Sequence, residues 1–303
     1  MQPSSASTAA TVPTVSPYNR NHRRSIHRFY ERLGRGLLFL SAFVVLGILG
    51  IVLFDIFSKG ASSVSWSFVT EKPRDGMTAG GIWPAIVGTF WVTLITAAFS
   101  IPFGVAAAVY LSEYARNNWL TRFIRASIRN LAGVPSVIYG LFGVALFVET
   151  LALGGSILSS GLTLGLMTLP WITTTAEEAL TTVPRGDREG SLALGATQWT
   201  TIRKVVLPKA TPGITTGAIL GLSRAAGETA PILFTGVAFS LPQLPDSVMD
   251  PFMALPYHLY ILATQHHAID EVRPLAYGTG LVLITLIVLL NLIAFGIRYK
   301  YRR

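Results

Sequence analysis

Residues 81–111 read GIWPAIVGTFWVTLITAAFSIPFGVAAAVYL, an apolar run without one charged side chain. It exceeds the ~20 residues that carry a helix across ~30 Å of hydrocarbon, so it spans with tilt or extends past the bilayer. In lipid the backbone must satisfy its own polar groups, which leaves helices or closed barrels. Barrel strands alternate in segments of about ten residues, whereas this run is continuous. Five more runs, at about 37–57, 131–147, 159–179, 212–237 and 276–297, complete six expected spans. The 303 residues are 51% hydrophobic and 13% charged, against about 25% charged in soluble domains. The fold class is therefore an all-α membrane bundle.

The run at 37–57 is longer than the ~7–15 residues of a signal-peptide core, so it reads as a retained span. Residues 1–30, rich in Ser, Thr, Ala and Pro and then basic through Arg20, Arg23 and Arg24, read as a disordered cytoplasmic tail. The membrane domain is expected over 31–303. Lys and Arg decide its orientation. Nineteen fall in the tail, the second loop, the fourth loop and the C-terminus; four (Lys59, Lys72, Arg74, Arg273) fall on the opposite face. Basic residues gather in the cytoplasm, so both termini are expected inside. The same bias accounts for the net charge of +9 without nucleic acid. With no cysteine, a disulfide framework, a thiolate nucleophile and a cysteine metal site are excluded.

The fourth loop, 185–209, reads RGDREGSLALGATQWTTIRKVVLPK. Asp187 suits an N-cap, Gly195 a helix end, and Pro208 the first turn of a new helix. The expected motif is helix, turn, helix, with Leu192, Leu194 and Ala196 supplying apolar surface. Glu189-Gly190-Ser191, then Gly195, then Val205-x-Leu207-Pro208 resembles the EAA loop of ABC importer permeases, with Gly190 and Ser191 in place of two alanines and Val205 in place of isoleucine. The resemblance implies a type I, MetI-like permease bundle. In it the stretch from Asp187 through Leu192 to Ala196 forms a coupling helix seated in a cleft of an ATPase subunit. Packing of the loop on its own bundle is the other reading.

Arg224, the one basic residue outside the loop count, lies in the fifth span with Glu228 four residues on. A charge at membrane depth costs at least ~2.5–3.5 kcal/mol and faces a partner or a wet cavity. The spacing sets the pair on one helix face. Gly213, Gly217 and Gly221 form a small-residue stripe on the same side, so the pair is expected to point into the bundle. It is either a structural lock or an anion site, since guanidinium makes paired, charge-assisted bonds to phosphate.

Ser223–Thr229 resembles the Ser-Arg-Ala-x-Gly-Glu-Thr motif of the permeases of the Pst phosphate importer, and Ala230-Pro231 favours the A-type (PstA-type) subunit. Segments 80–89 and 133–143 agree, and the likeness covers about residues 30–300. It implies a role for Arg224 and Glu228 in phosphate passage across a bacterial cytoplasmic membrane. It also implies a homologous C-type (PstC-type) permease, two ATPase (PstB-type) subunits and an external phosphate-binding (PstS-type) protein. No role follows for Pro135 or Tyr139. The alternatives are another oxyanion, such as sulfate or molybdate, and a secondary transporter or scaffold without ATPases.

No Gly-x4-Gly-Lys-Ser/Thr loop is present, so ATP hydrolysis by a P-loop belongs to another subunit. No cofactor is expected. His258, His266 and His267 lack convergent metal spacing and read as solvated or interfacial. Asp55 reads as interfacial, and Glu177-Glu178 as paired with the nearby basic loop. Trp83, Trp91 and Tyr110 suit aromatic belts.

Overall fold

The structure is a computed structural model and describes residues 17–301. The described residues fall into two compact units that divide after Asp55. The first holds most of helix α1 (Pro17–Gly60), apolar and exposed from Leu37 to Phe54, as suits a helix whose solvent is lipid. Part of the expected tail is thus helical, since α1 begins at Pro17; residues 1–16 lie outside the described residues.

The second unit carries α2 (Trp66–Thr70), a short hairpin pairing Pro73–Arg74 with Ala79–Gly80, and α3 (Trp83–Val109), which runs on into a π-turn at Tyr110–Tyr114. Next come α4 (Trp119–Leu131), α5 (Ser136–Gly143) with a π-turn at Val144–Thr150, and α6 (Ile157–Thr181). On the other side of α7 (Arg185–Ala193), α8 (Gln198–Thr201) passes through a π-turn at Ile202–Val206 into α9 (Leu207–Ala226). The chain closes with α10 (Ala230–Thr235), α11 (Leu255–Thr264) and α12 (Ile269–Tyr301). Among the described residues five helices are long and apolar enough to cross a membrane, or six if the bent pair α4–α5 is one span.

Two glycine seams hold the centre. Gly104 of α3 meets Ile172 of α6, while Gly161 and Gly165 of α6 meet Ile95 and Phe99 of α3. On another side of α6, Gly213, Gly217 and Gly221 of α9 lie against Ala179, Thr175 and Thr168. Missing Cβ atoms bring the backbones together, which is how helices gain contact where lipid offers no hydrophobic drive. Buried hydroxyls bond within their own helices: Thr89 Oγ1 to Ala85 O (2.7 Å), Ser100 Oγ to Thr96 O (2.7 Å), Thr168 Oγ1 to Leu164 O (2.6 Å).

Two spans differ from the expectation. The third is not a straight helix over 131–147. Amphipathic α4 meets α5 at a bend of 100°, because Pro135 drives the residue before it out of helical geometry. The continuous part, 136–150, rises only about 22 Å. The fifth is not one helix over 212–237. It starts at Gln198, under a Thr197 cap, and stops at Ala226; α10 follows after a break at 227–229. Pro231 lacks the amide that would bond back to Gly227, so the helix cannot run through.

Between α10 and α12 the chain is buried from Phe252 to Leu255. Phe252, Met253, Ala254 and Leu255 are 2% exposed or less. His258 and His266 are each 3% exposed, so they are buried, not solvated. His266 Nε2 contacts Gly76 O at 2.8 Å. No metal-binding cluster occurs among the described residues.

Candidate functional site

The expected coupling residues lie on α7 and the turn after it. Pro184 is the N-cap, not Asp187, because the helix begins three residues earlier than the capping pattern implied. Asp187 sits in the first turn, favourable toward the helix dipole, and pairs with Lys209 at 2.7 Å. Gly195 ends the helix at φ 85°, with its N–H on Leu192 O (2.9 Å) and the Ala196 N–H on Ser191 O (3.3 Å). This is a Schellman end, which requires a residue tolerant of positive φ. Ser191 Oγ shares a hydrogen bond with Thr201 Oγ1 at 2.9 Å.

Glu189, Gly190 and Leu192 are exposed, and Leu194 is 91% exposed. Trp199, on the same hairpin, is 55% exposed. Leu194 is thus an open apolar knob at the end of a charged surface helix. Pro208 falls in the first turn of α9, as expected, although the helical path reaches back ten residues to Gln198. The π-turn at 202–206 absorbs the proline: the Leu207 N–H reaches Ile202 O, and Pro208 follows in the first turn of α9.

Arg188 and Glu113 were not singled out from the sequence. Arg188 Nη2 lies 2.7 Å from Glu113 Oε1, with side chains 20% and 9% exposed. Its Nη1 and Nη2 also donate to Val183 O (2.6 Å) and Leu180 O (2.9 Å) at the end of α6. Glu113 is the one acidic residue between Asp75 and Glu149, which was a usable signal. Glu177 pairs with Arg125 of α4 at 2.7 Å.

Arg224 and Glu228 are adjacent but do not share a helix face. Arg224 is in the last turn of α9; Glu228 is in the break after it. Arg224 Nε lies 3.5 Å from Glu228 Oε1, with side chains 60% and 19% exposed. The Arg224 η nitrogens have no hydrogen-bond partner among the described residues. A crevice beside it is lined by Leu131, Tyr139, Met167, Thr168 and Trp171. Its free volume of 20 Å³ admits about one water. Tyr139 Oη donates to Leu131 O at 3.0 Å across the α4–α5 bend. One residue before Arg224, Ser223 Oγ donates to Asn291 Oδ1 of α12 at 2.9 Å.

The family of the binding-protein-dependent transport system inner membrane component matches residues 100–302. The chain belongs to this family. The chain is 34% identical over 276 residues to the probable ABC transporter permease protein YqgI of Bacillus subtilis, covering 87% of this chain and 93% of that one. It is 33% identical over 270 residues to the phosphate transport system permease protein PstA 1 of Mycobacterium tuberculosis, covering 88% of each. Among solved structures, a chain of the bacterial alginate ABC transporter superposes with a TM-score of 0.63 at 14% identity, covering 89% of this chain and 94% of that one. The fold of the chain is thus the ABC importer permease bundle.

Proposed function

We propose that the chain is one of two homologous permeases of an ABC importer that brings inorganic phosphate through the bacterial cytoplasmic membrane, with both termini inside. Several relatives at 32–36% identity carry the name phosphate transport system permease protein PstA, which supports phosphate as the substrate. The observation that carries the reading is Arg224, a guanidinium at a break in a span. Glu228 holds only its Nε, and its η nitrogens have no protein partner among the described residues.

Donors at membrane depth demand a partner, and a planar fork of N–H groups matches a tetrahedral oxyanion. A crevice of 20 Å³ is too small for phosphate, so the anion passes over the open side of Arg224, where the second permease completes the path. Glu228 orients the guanidinium and lowers its net hold on the anion.

The exposed face from Glu189 to Leu194 fits the cleft of an ATPase, which supplies the hydrolysis this chain has no motif for. A binding protein delivers phosphate from outside. ATP-driven closure of the ATPases then moves α7 and switches access around Arg224. Uptake of radiolabelled phosphate by proteoliposomes holding the assembled complex tests this. Arg224→Gln is expected to abolish uptake, and wild-type uptake would remove Arg224 from the pathway. Competition by sulfate or molybdate equal to that by phosphate would reassign the substrate.

A further inference from the structure

Movement of α7 matters only if it reaches the spans, yet most of what ties α7 to the bundle is slight. The Asp187–Lys209 pair is half-exposed, and Ser191–Thr201 is a contact between two hydroxyls. Arg188 is different. Its Nε donates to both Glu113 oxygens (3.3 and 3.1 Å), its Nη2 to Glu113 Oε1 (2.7 Å) and Leu180 O (2.9 Å), and its Nη1 to Val183 O (2.6 Å). One guanidinium therefore joins α7, the end of α6 and the π-turn that closes α3. Gln198 of α8 adds a bond from Nε2 to Glu113 O at 2.7 Å.

The π-turn extends the connection. In an α-helix the Ala115 N–H would take Leu111 O; here it takes Tyr110 O at 2.9 Å. Leu111 O is released, and Arg125 Nη2 of α4 donates to it at 2.7 Å while pairing with Glu177 of α6. Helix α4 then runs to Leu131, whose carbonyl takes the Tyr139 hydroxyl. Leu131 and Tyr139 both line the crevice at Arg224. A short chain of charged bonds and one helix thus connects the surface of α7 to the candidate anion site.

We infer that Arg188 and Glu113 are positioning residues forming a rigid joint that carries the displacement of α7 into α3 and α6, with Arg125 passing it along α4 to the Arg224 crevice. The joint stays closed through the transport cycle. A fork held by five donor contacts in a largely buried place moves as one body, whereas hydroxyl contacts and half-exposed pairs exchange readily with water. The inference rests on α7 being the surface that meets the ATPase.

The test measures phosphate uptake and ATP hydrolysis in the same proteoliposomes holding the complete complex. Glu113→Gln is expected to keep ATP hydrolysis within about threefold while phosphate moved per ATP falls about tenfold. Charge reversal of both residues cannot serve as rescue, because a carboxylate at 188 would face the Leu180 and Val183 carbonyls. The chain has no cysteine, so in a complex whose other subunits are made free of cysteine, Glu113→Cys with Arg188→Cys can be bridged selectively by a short bifunctional maleimide. Unbridged, this variant is expected to be uncoupled; bridging is expected to restore phosphate moved per ATP. An unchanged ratio in Glu113→Gln overturns the joint, as does a bridged pair that stays uncoupled. Loss of assembly in both variants also overturns it, by making the pair a folding element. A wild-type complex that binds no ATPase refutes instead the functional reading on which the joint rests.

Discussion

Replacing Gly217 by alanine tests the packing that places Arg224. A Cβ built on Gly217 would stand 2.5 Å from Thr175 Cβ, and closer still to its hydroxyl. Carbon atoms rest at about 3.5–4.0 Å, so α9 must retreat from α6 by about 1 Å. Overpacking of this kind costs about 1–3 kcal/mol. Against it stands helix propensity, by which Gly→Ala inside a helix gains about 1 kcal/mol. The net expectation is a loss of up to about 2 kcal/mol. The sign is what decides: if this face of α9 met lipid, the substitution would stabilise. The assay is reversible unfolding of the purified protein in mixed micelles. Adding Thr175→Ala should recover only part of the loss, since it removes the hydroxyl but leaves the Cβ. The Thr175 hydroxyl bonds only within its own helix, to Trp171 O and Ile172 O, so Thr175→Ala alone should cost little. Because Arg224 lies two turns further along α9, phosphate uptake should fall together with stability. A stabilised Gly217→Ala would refute the seam.

Three further outcomes follow from single residues. Gly190→Ala meets nothing within 4 Å, so it should stabilise α7 by up to about 1 kcal/mol, read in the same unfolding assay. Leu194→Glu, at a side chain 91% exposed, should leave the stability of the chain within about 0.5 kcal/mol while weakening ATPase association in a pull-down; unchanged association would place the docking surface elsewhere. His258, outside the spans, has its pKa lowered to about 4, first by burial and then by His266, and its Nδ1 has no partner among the described residues. The unfolded chain therefore binds the proton more readily. Stability should be full above about pH 6.5 and decline as pH falls toward 4, by about 3 kcal/mol in all; His258→Leu should flatten that profile.

Much of the site was legible locally. Gly195 marks a helix end because only a residue free of a Cβ adopts φ 85° without cost. The stripe of Gly213, Gly217 and Gly221 announced a close helix contact, and α9 meets α6 along it. Asp187 misled because a capping residue and a first-turn acid look alike in sequence; the choice rests on the chain's path after Thr181. Pro208 does stand in the first turn of α9, but the π-turn that joins that helix to α8 is not anticipated by a periodicity reading. His266 read as solvated because its contact, Gly76 O, is remote in the chain.

The sequence by itself determined the solvent, the number of apolar runs and the residue types at each surface, because transfer free energy and backbone propensity are properties of short stretches. Only the tertiary structure decided which carboxylate meets Arg188, why Leu111 O is free for Arg125, and that the fifth span breaks between Arg224 and Glu228. Those outcomes join residues such as 113 and 188, 75 positions apart, and turn on a guanidinium in a largely dry place finding its five acceptor contacts. No local pattern encodes such a match; it arises when α3, α6 and α7 are packed together.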